Sequence, residues 1–313
     1  MAADPSWDDA AAVAAFRAAE ATGATRLAPI FLDDATVQRH LRARKGDVPA
    51  ALAMLLEHQA WRKVETPWWP LTAAPVASIH EDFACLKAYH DGEDAEGGPI
   101  TWVRAALHDK NEDRAQFKRF LSFLSDESVA RMERREPKGQ GMNIVVDFTG
   151  FGYSAGFDVN AGMLIVQTLS AHFPERLRRI FMTVGFSAPP PPPTPIAHHL
   201  LAPPPHSPFP TLTTRPGLPQ NTPFVFNAFW ALLKVFLDER TKQKIRFVNQ
   251  EDLAGELGIS TERLPAFLGG ASPLVFAGDV SDYVSVREGP MAHLPKELLE
   301  ASAAHLAALP PPS

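Results

Sequence analysis

Gly152-Tyr153-Ser154-Ala155-Gly156 matches the G-x-S-x-G pattern, in which a serine on a sharp strand-to-helix turn attacks an ester carbonyl. That chemistry needs the serine directly off the strand. Here Thr149-Gly150-Phe151-Gly152 intervene, Gly156-Phe157-Asp158 delay the following helix, and no H-G-G-G oxyanion loop is present. The histidines after the proline-rich stretch are His293 and His305, both far downstream. An esterase using Ser154 is therefore a remote reading, and no catalytic residue is assigned. Metal chemistry is equally poorly served. The single cysteine, Cys85, excludes an internal disulfide and a cysteine-based zinc cluster, and fits a reducing compartment. His198, His199 and His206 lie in a proline-rich stretch that is a poor scaffold for ligands.

The other chemistry is that of surfaces. Phe226, Phe229, Trp230, Leu233 and Leu237 recur at helical spacing, and Phe224, Val225 and Phe236 add bulk outside that stripe. A helix apolar nearly all round needs either a protein coat or a non-protein apolar partner. An ordinary buried helix is the plain reading of this periodicity. Asp33-Asp34 open and Arg42-Ala43-Arg44-Lys45 close a second helix, which complements its dipole. A net charge of −6 gives no general attraction to nucleic acid, and none is expected as a partner.

The elements that position these residues fall into two groups. Up to about residue 70 the chain reads as helices. Asp8 to Ala21 is Ala-rich, Gly46 ends the Asp33 helix, and Leu52, Leu55, Leu56 and Trp61 face the core from a helix opened by Pro49. From about 79 to 270, strands alternate with helices. Leu86–His90 and Pro99–Arg104 flank a glycine-containing turn, Asn143–Phe148 is an apolar central run, and Arg179–Thr183 and Ile245–Val248 follow. Gln116–Arg135 and Val159–Phe173 are the intervening helices. The alternation predicts an α/β fold with a largely parallel sheet. No run approaches the roughly 20 apolar residues of a membrane span. The acidic start, with Asp4, Asp8 and Asp9, has no signal-peptide core.

The ordered motifs carry more than the periodicity. Asn221-Thr222-Pro223, Phe236-Leu237-Asp238-Glu239, Thr241-Lys242-Gln243-Lys244-Ile245 and Leu264-Pro265-Ala266-Phe267-Leu268-Gly269-Gly270 resemble the CRAL-TRIO lipid-binding family in its phosphatidylinositol-transfer branch. Phe173-Pro174-Glu175-Arg176 is similar to its Y-P-E-R, and Asp33–Lys45 with Trp61-Arg62 to its helical N-terminal module. His40 and Gly46 depart from that module, where the family usually has aromatics, and the basic residue of its G-R-P-V element is missing at Gly98-Pro99-Ile100. The resemblance implies an N-terminal helical module (1–70), an α/β lipid-binding domain (79–270) with a cavity, and a tail (271–313). It makes Phe224, Phe226, Phe229, Trp230, Leu233 and Leu237 a gate over that cavity. It makes Arg44, Glu175, Thr241 and Lys244 the headgroup set, with Glu175 paired to Lys244. Arg44 and Lys244 suit a desolvated phosphodiester, which needs charge-assisted donors. An inert Glu–Lys ion pair is the plain alternative.

The implied function is non-enzymatic carriage of one lipid between membranes: phosphatidylinositol, with exchange for phosphatidylcholine. Such a carrier holds no cofactor other than its bound lipid, and is cytoplasmic with transient membrane contact. A tocopherol- or retinoid-type carrier, and a scaffold with vestigial lipid binding, are the alternatives. The stretch 184–220 holds Pro189–Pro193 and Pro203–Pro205 with one charged residue, Arg215. Its deletion joins Thr183 to Asn221 and restores the family's strand-to-N-x-P junction. Valine codons begin with GT and glutamine has CAG, so its edges permit an unspliced intron. A genuine insertion, serving as an SH3- or WW-type ligand, is the alternative.

Overall fold

The computed structural model describes residues 10–72, 86–134, 141–153, 157–183, 222–237, 239–272, 283, 286–287 and 289–310, with the backbone alone for 222–226. Three helices open it: α1 (Ala10–Thr22), α2 (Asp34–Ala43) and α3 (Val48–Glu65). Asp33 and Asp47 cap α2 and α3, accepting from the backbone N–H groups of Thr36 and Ala50. The buried face of α3 differs from the leucine face expected. It runs Ala51, Met54, Leu55, His58, Gln59, Arg62, a 3.6-residue stripe carrying three polar side chains inward.

The sheet follows, in the order β1-β2-β3-β4-β5. β1 (Ala88–Glu93) pairs antiparallel with β2 (Pro99–Arg104), and β3 (Met142–Asp147), β4 (Leu177–Thr183) and β5 (Ile245–Val248) continue in parallel. The central strand is the apolar run read from the sequence. The turn expected at Asp91-Gly92 belongs instead to β1. The chain reverses at 94–98, where Asp94 Oδ1 accepts from the N–H groups of Glu96 and Gly98.

Helices α4 (Arg114–Glu133) and α5 (Val159–His172) flank the sheet, capped by Asp113 and Asp158. After β4 come α6 (Thr222–Leu233), the short α7 (Glu239–Lys244), and α8 (Leu253–Leu257) beyond β5. The final helix, α9 (Lys296–Ala308), returns to the start of the chain. Leu299 and Leu306 join Val13, Phe16, Leu41 and Leu55 in one core, and Ser302 Oγ accepts from Ile30 N at 3.0 Å. The tail is thus part of the N-terminal helical layer. Asp279 to Val286 reads from the sequence as a further strand; most of it falls outside the described residues, and Val286 is helical.

Candidate lipid cavity and headgroup surface

Strand alternation divides the sheet's apolar residues between two faces. Ile100, Trp102, Val145 and Phe181 pack against Leu253, Leu257 and Leu264. The alternate set, Thr101, Val103, Ile144, Val146, Ile180 and Met182, faces a cavity. Phe117 and Leu121 of α4 and Ile165 and Leu169 of α5 form other walls, and Phe229, Leu233 and Leu237 close it. Ile144 and Val146 lie on the central strand and yet are only half-buried. About 200 Å³ is open to the centres of water molecules, against about 10–15 Å³ for a single water. The space is a chamber, far larger than a packing defect.

The polar groups on its wall are held within the wall. Lys87 Nζ donates to Glu112 at 2.6 Å, and Thr101 Oγ1 is 3.0 Å from His90 Nδ1. His108 lies 3.1 Å from the Asp158 carboxylate, which also accepts from Arg114 and from Ala161 N. Burial opposes the Asp158 charge, but these hydrogen bonds hold its pKa below the usual carboxylate range. Burial pushes His108 down, against the pull of Asp158. A guest here meets hydrocarbon and already satisfied polar groups.

The expected gate residues divide. Phe229, Leu233 and Leu237 are buried against the cavity, and Trp230 is half-buried edge-on to Phe247 at 5.2 Å. Phe224 and Phe226 lie in α6, with side chains outside the described residues. The helix is shorter than its periodicity suggested. It ends at Leu233, a 3-10 turn spans Lys234–Phe236, and Leu237 reaches the cavity from extended backbone. The change of pitch turns Val235 and Phe236 outward, 73% and 48% exposed, beside Leu232 at 50%.

The headgroup set is brought together in part. Glu175 has a left-handed φ of 58° between α5 and β4, and its carboxylate meets Arg240 of α7 at 3.7 Å. The pairing expected with Lys244 is therefore made one helical turn earlier. Thr241 and Lys244, on the same helix, are half-buried. Arg44 caps the C-terminus of α2, is exposed, and forms no ion pair among the described residues. Ser154, Cys85, the histidines of the proline-rich stretch and all of 184–220 lie outside the described residues. Among the described residues no group of three or more His, Cys, Asp or Glu is placed to hold a metal. No described helix is long and apolar enough to cross a membrane.

Fold and site together define an α/β domain with an apolar chamber between its sheet and helices, and a helical layer that joins α1, α2, α3 and α9. The CRAL/TRIO domain matches residues 84–184 and 216–270, breaking across the proline-rich stretch. The chain belongs to the CRAL/TRIO family of lipid-binding domains. It is 25% identical over 255 residues to phosphatidylinositol transfer protein CSR1 of Eremothecium gossypii, covering 79% of this chain and 49% of that one. It is 24% identical over 255 residues to CRAL-TRIO domain-containing protein C3H8.02 of Schizosaccharomyces pombe, covering 77% of this chain and 46% of that one. The chain thus spans about half the length of these curated relatives. The crystal structure of Sfh5 superposes with a TM-score of 0.47 at 13% identity, covering 77% of this chain and 76% of that one.

Proposed function

We propose that this chain takes one amphiphilic lipid from a membrane, lodges its tails in the cavity, and delivers or presents it without turnover. The observation that carries the reading is the pair Ile144 and Val146, central-strand residues left half-exposed toward a chamber that Phe229, Leu233 and Leu237 close. Tail burial supplies the driving force, at about 0.8 kcal/mol per CH₂. The exposed Leu232, Val235 and Phe236 beside Lys234 are the surface offered to the bilayer, so the contact is peripheral and transient.

Phosphatidylinositol is the lipid proposed first. Arg240 of α7 meets Glu175, and Thr241 and Lys244 stand on the same short helix, a mixture suited to a phosphodiester and inositol hydroxyls. A relative named as a phosphatidylinositol transfer protein supports the same choice. The test is mass spectrometry of lipids extracted from the purified chain after incubation with mixed liposomes, followed by a transfer assay. Stoichiometric phosphatidylinositol is expected. Lys244→Ala should slow its transfer about 10- to 100-fold, the value of one charge-assisted hydrogen bond. Unchanged transfer by Lys244→Ala overturns the headgroup assignment. A different single lipid keeps the carrier and changes the cargo.

A further inference from the structure

A second pocket lies where α2, α3, α4, the end of α5 and the tail converge. It shares no lining residue with the apolar cavity and none with the proposed headgroup set. About 110 Å³ of it is open to the centres of water molecules, room for a small oxyanion with attendant water. Two ion pairs on its wall are closed. Arg62 grips Asp126 with two hydrogen bonds of 2.8 and 2.9 Å, and Arg176 bonds Glu133.

Arg39 is the arginine of this lining outside those two pairs. Its guanidinium donates to Thr36 Oγ1 at 2.6 Å and forms no ion pair with a described residue. Burial, with Arg176 close by, lowers its pKa to about 10 although Asp33 and Glu133 pull the other way, so its charge is only partly compensated.

Two buried histidines add unmet hydrogen-bonding groups of known sense. His40 is 4% exposed, and its Nδ1 lies 2.8 Å from the carbonyl oxygen of Thr36. A carbonyl only accepts, so Nδ1 carries the proton and Nε2 presents a lone pair, for which no described residue supplies a donor. His58 is 6% exposed, and its Nε2 accepts from Arg62 Nε at 3.3 Å. Its Nδ1–H is then a donor without an acceptor among the described residues. The pocket thus offers a cation, a donor and an acceptor, and buried groups of this kind call for a partner.

Water can satisfy the two rings but leaves Arg39, which makes no ion pair with a described residue, with only the more distant carboxylates of Asp33 and Glu133 against its charge. A fully ionised oxyanion can meet Arg39 and His58 but has no hydrogen for His40. A phosphate that keeps one proton meets all three. We propose that this junction pocket binds a singly protonated phosphate group, free or as a phosphomonoester. Its charged oxygens lie on Arg39 and the His58 Nδ1–H, and its P–OH donates to His40 Nε2.

The test uses the full chain, titrated calorimetrically at neutral pH with sodium phosphate and, at equal ionic strength, sodium sulfate. One phosphate per chain is expected, with sulfate about 100-fold weaker or worse, because a site built around a hydroxyl rejects the analogue lacking it. No phosphate binding, or equal binding of the two anions, overturns the proposal. His40→Phe places an aromatic where the family usually has one, and should fold. It should lose the preference for phosphate over sulfate while lipid loading of the cavity is unchanged; a retained preference overturns the assignment. Arg39→Gln should abolish both anions, and undiminished binding counts equally against it. Vesicles of phosphatidylcholine containing phosphatidic acid then identify the source. Displacement of bound phosphate assigns the group to a lipid headgroup, and no displacement assigns it to free phosphate.

Discussion

Gly162 sits where α5 comes nearest to α6. A Cβ there would lie 3.1 Å from both Leu233 Cδ1 and Phe229 Cζ, tighter than most packed carbon contacts, so these side chains would have to give way. Glycine inside a helix costs about 1 kcal/mol relative to alanine, so the close seat of α6 is the compensating feature. Gly162→Leu should push α6 off that seat. Overpacking of this kind lowers stability by about 1–3 kcal/mol, read from urea unfolding. Release of bound lipid on dilution should become faster. At this scale the sequence was informative for Phe229, Leu233 and Leu237, whose spacing names one face. It was silent on the meeting of His40, His58 and His172. The rings of His58 and His172 have centroids 5.5 Å apart, but they sit on helices far apart in the chain.

Among the elements, α9 shows how much a terminal helix contributes. Leu294 to Leu309 mixes apolar and charged residues, which reads as a short helix without naming where it docks. Ser302 accepts from Ile30 N and donates to the carbonyl oxygen of Leu298 at 2.7 Å. Ser302→Ala leaves the buried Ile30 N–H without a partner and should cost about 1–3 kcal/mol in urea unfolding. No change would mean that α9 does not hold the N-terminal layer. The strands were legible because apolar runs of β-branched residues bounded by turn residues have few alternatives. The end of α6 was not. The stripe continues past Leu233 at nearly the same period whether the chain stays α-helical or tightens to a 3-10 turn.

The whole molecule buries an unusual set of neutral histidines. Burial depresses His40 and His90 to about 4 and His172 to about 3, and holds His58 well below its ordinary value. Each group is depressed on folding, so the unfolded chain binds protons near pH 6.5 that the folded chain refuses. The stability involved is complete above pH 6.5 and is lost as pH falls from 6.5 toward 4. By pH 5 the loss should be about 1–2 kcal/mol per histidine. Asp126 has the opposite sign: burial outweighs Arg62 and raises its pKa, so its contribution is fullest below the unfolded value and declines as pH rises. Urea midpoints at pH 7.5 and pH 5 test the balance. A midpoint unchanged or higher at pH 5 would contradict the burial of these rings.

The sequence by itself determined the order of helices and strands, the largely parallel sheet and the spacing that sets Phe229, Leu233 and Leu237 on one face. These are consequences of local propensity and of apolar period, which neighbouring residues fix among themselves. Tertiary structure decided what lies between those elements. It left Ile144 and Val146 facing a chamber, paired Glu175 with Arg240, and carried α9 back onto α1 and α3. It also gathered Arg39, His40 and His58 around one pocket. Such contacts depend on how packed faces turn toward one another, and side chains distant in sequence carry no periodic mark of the meeting.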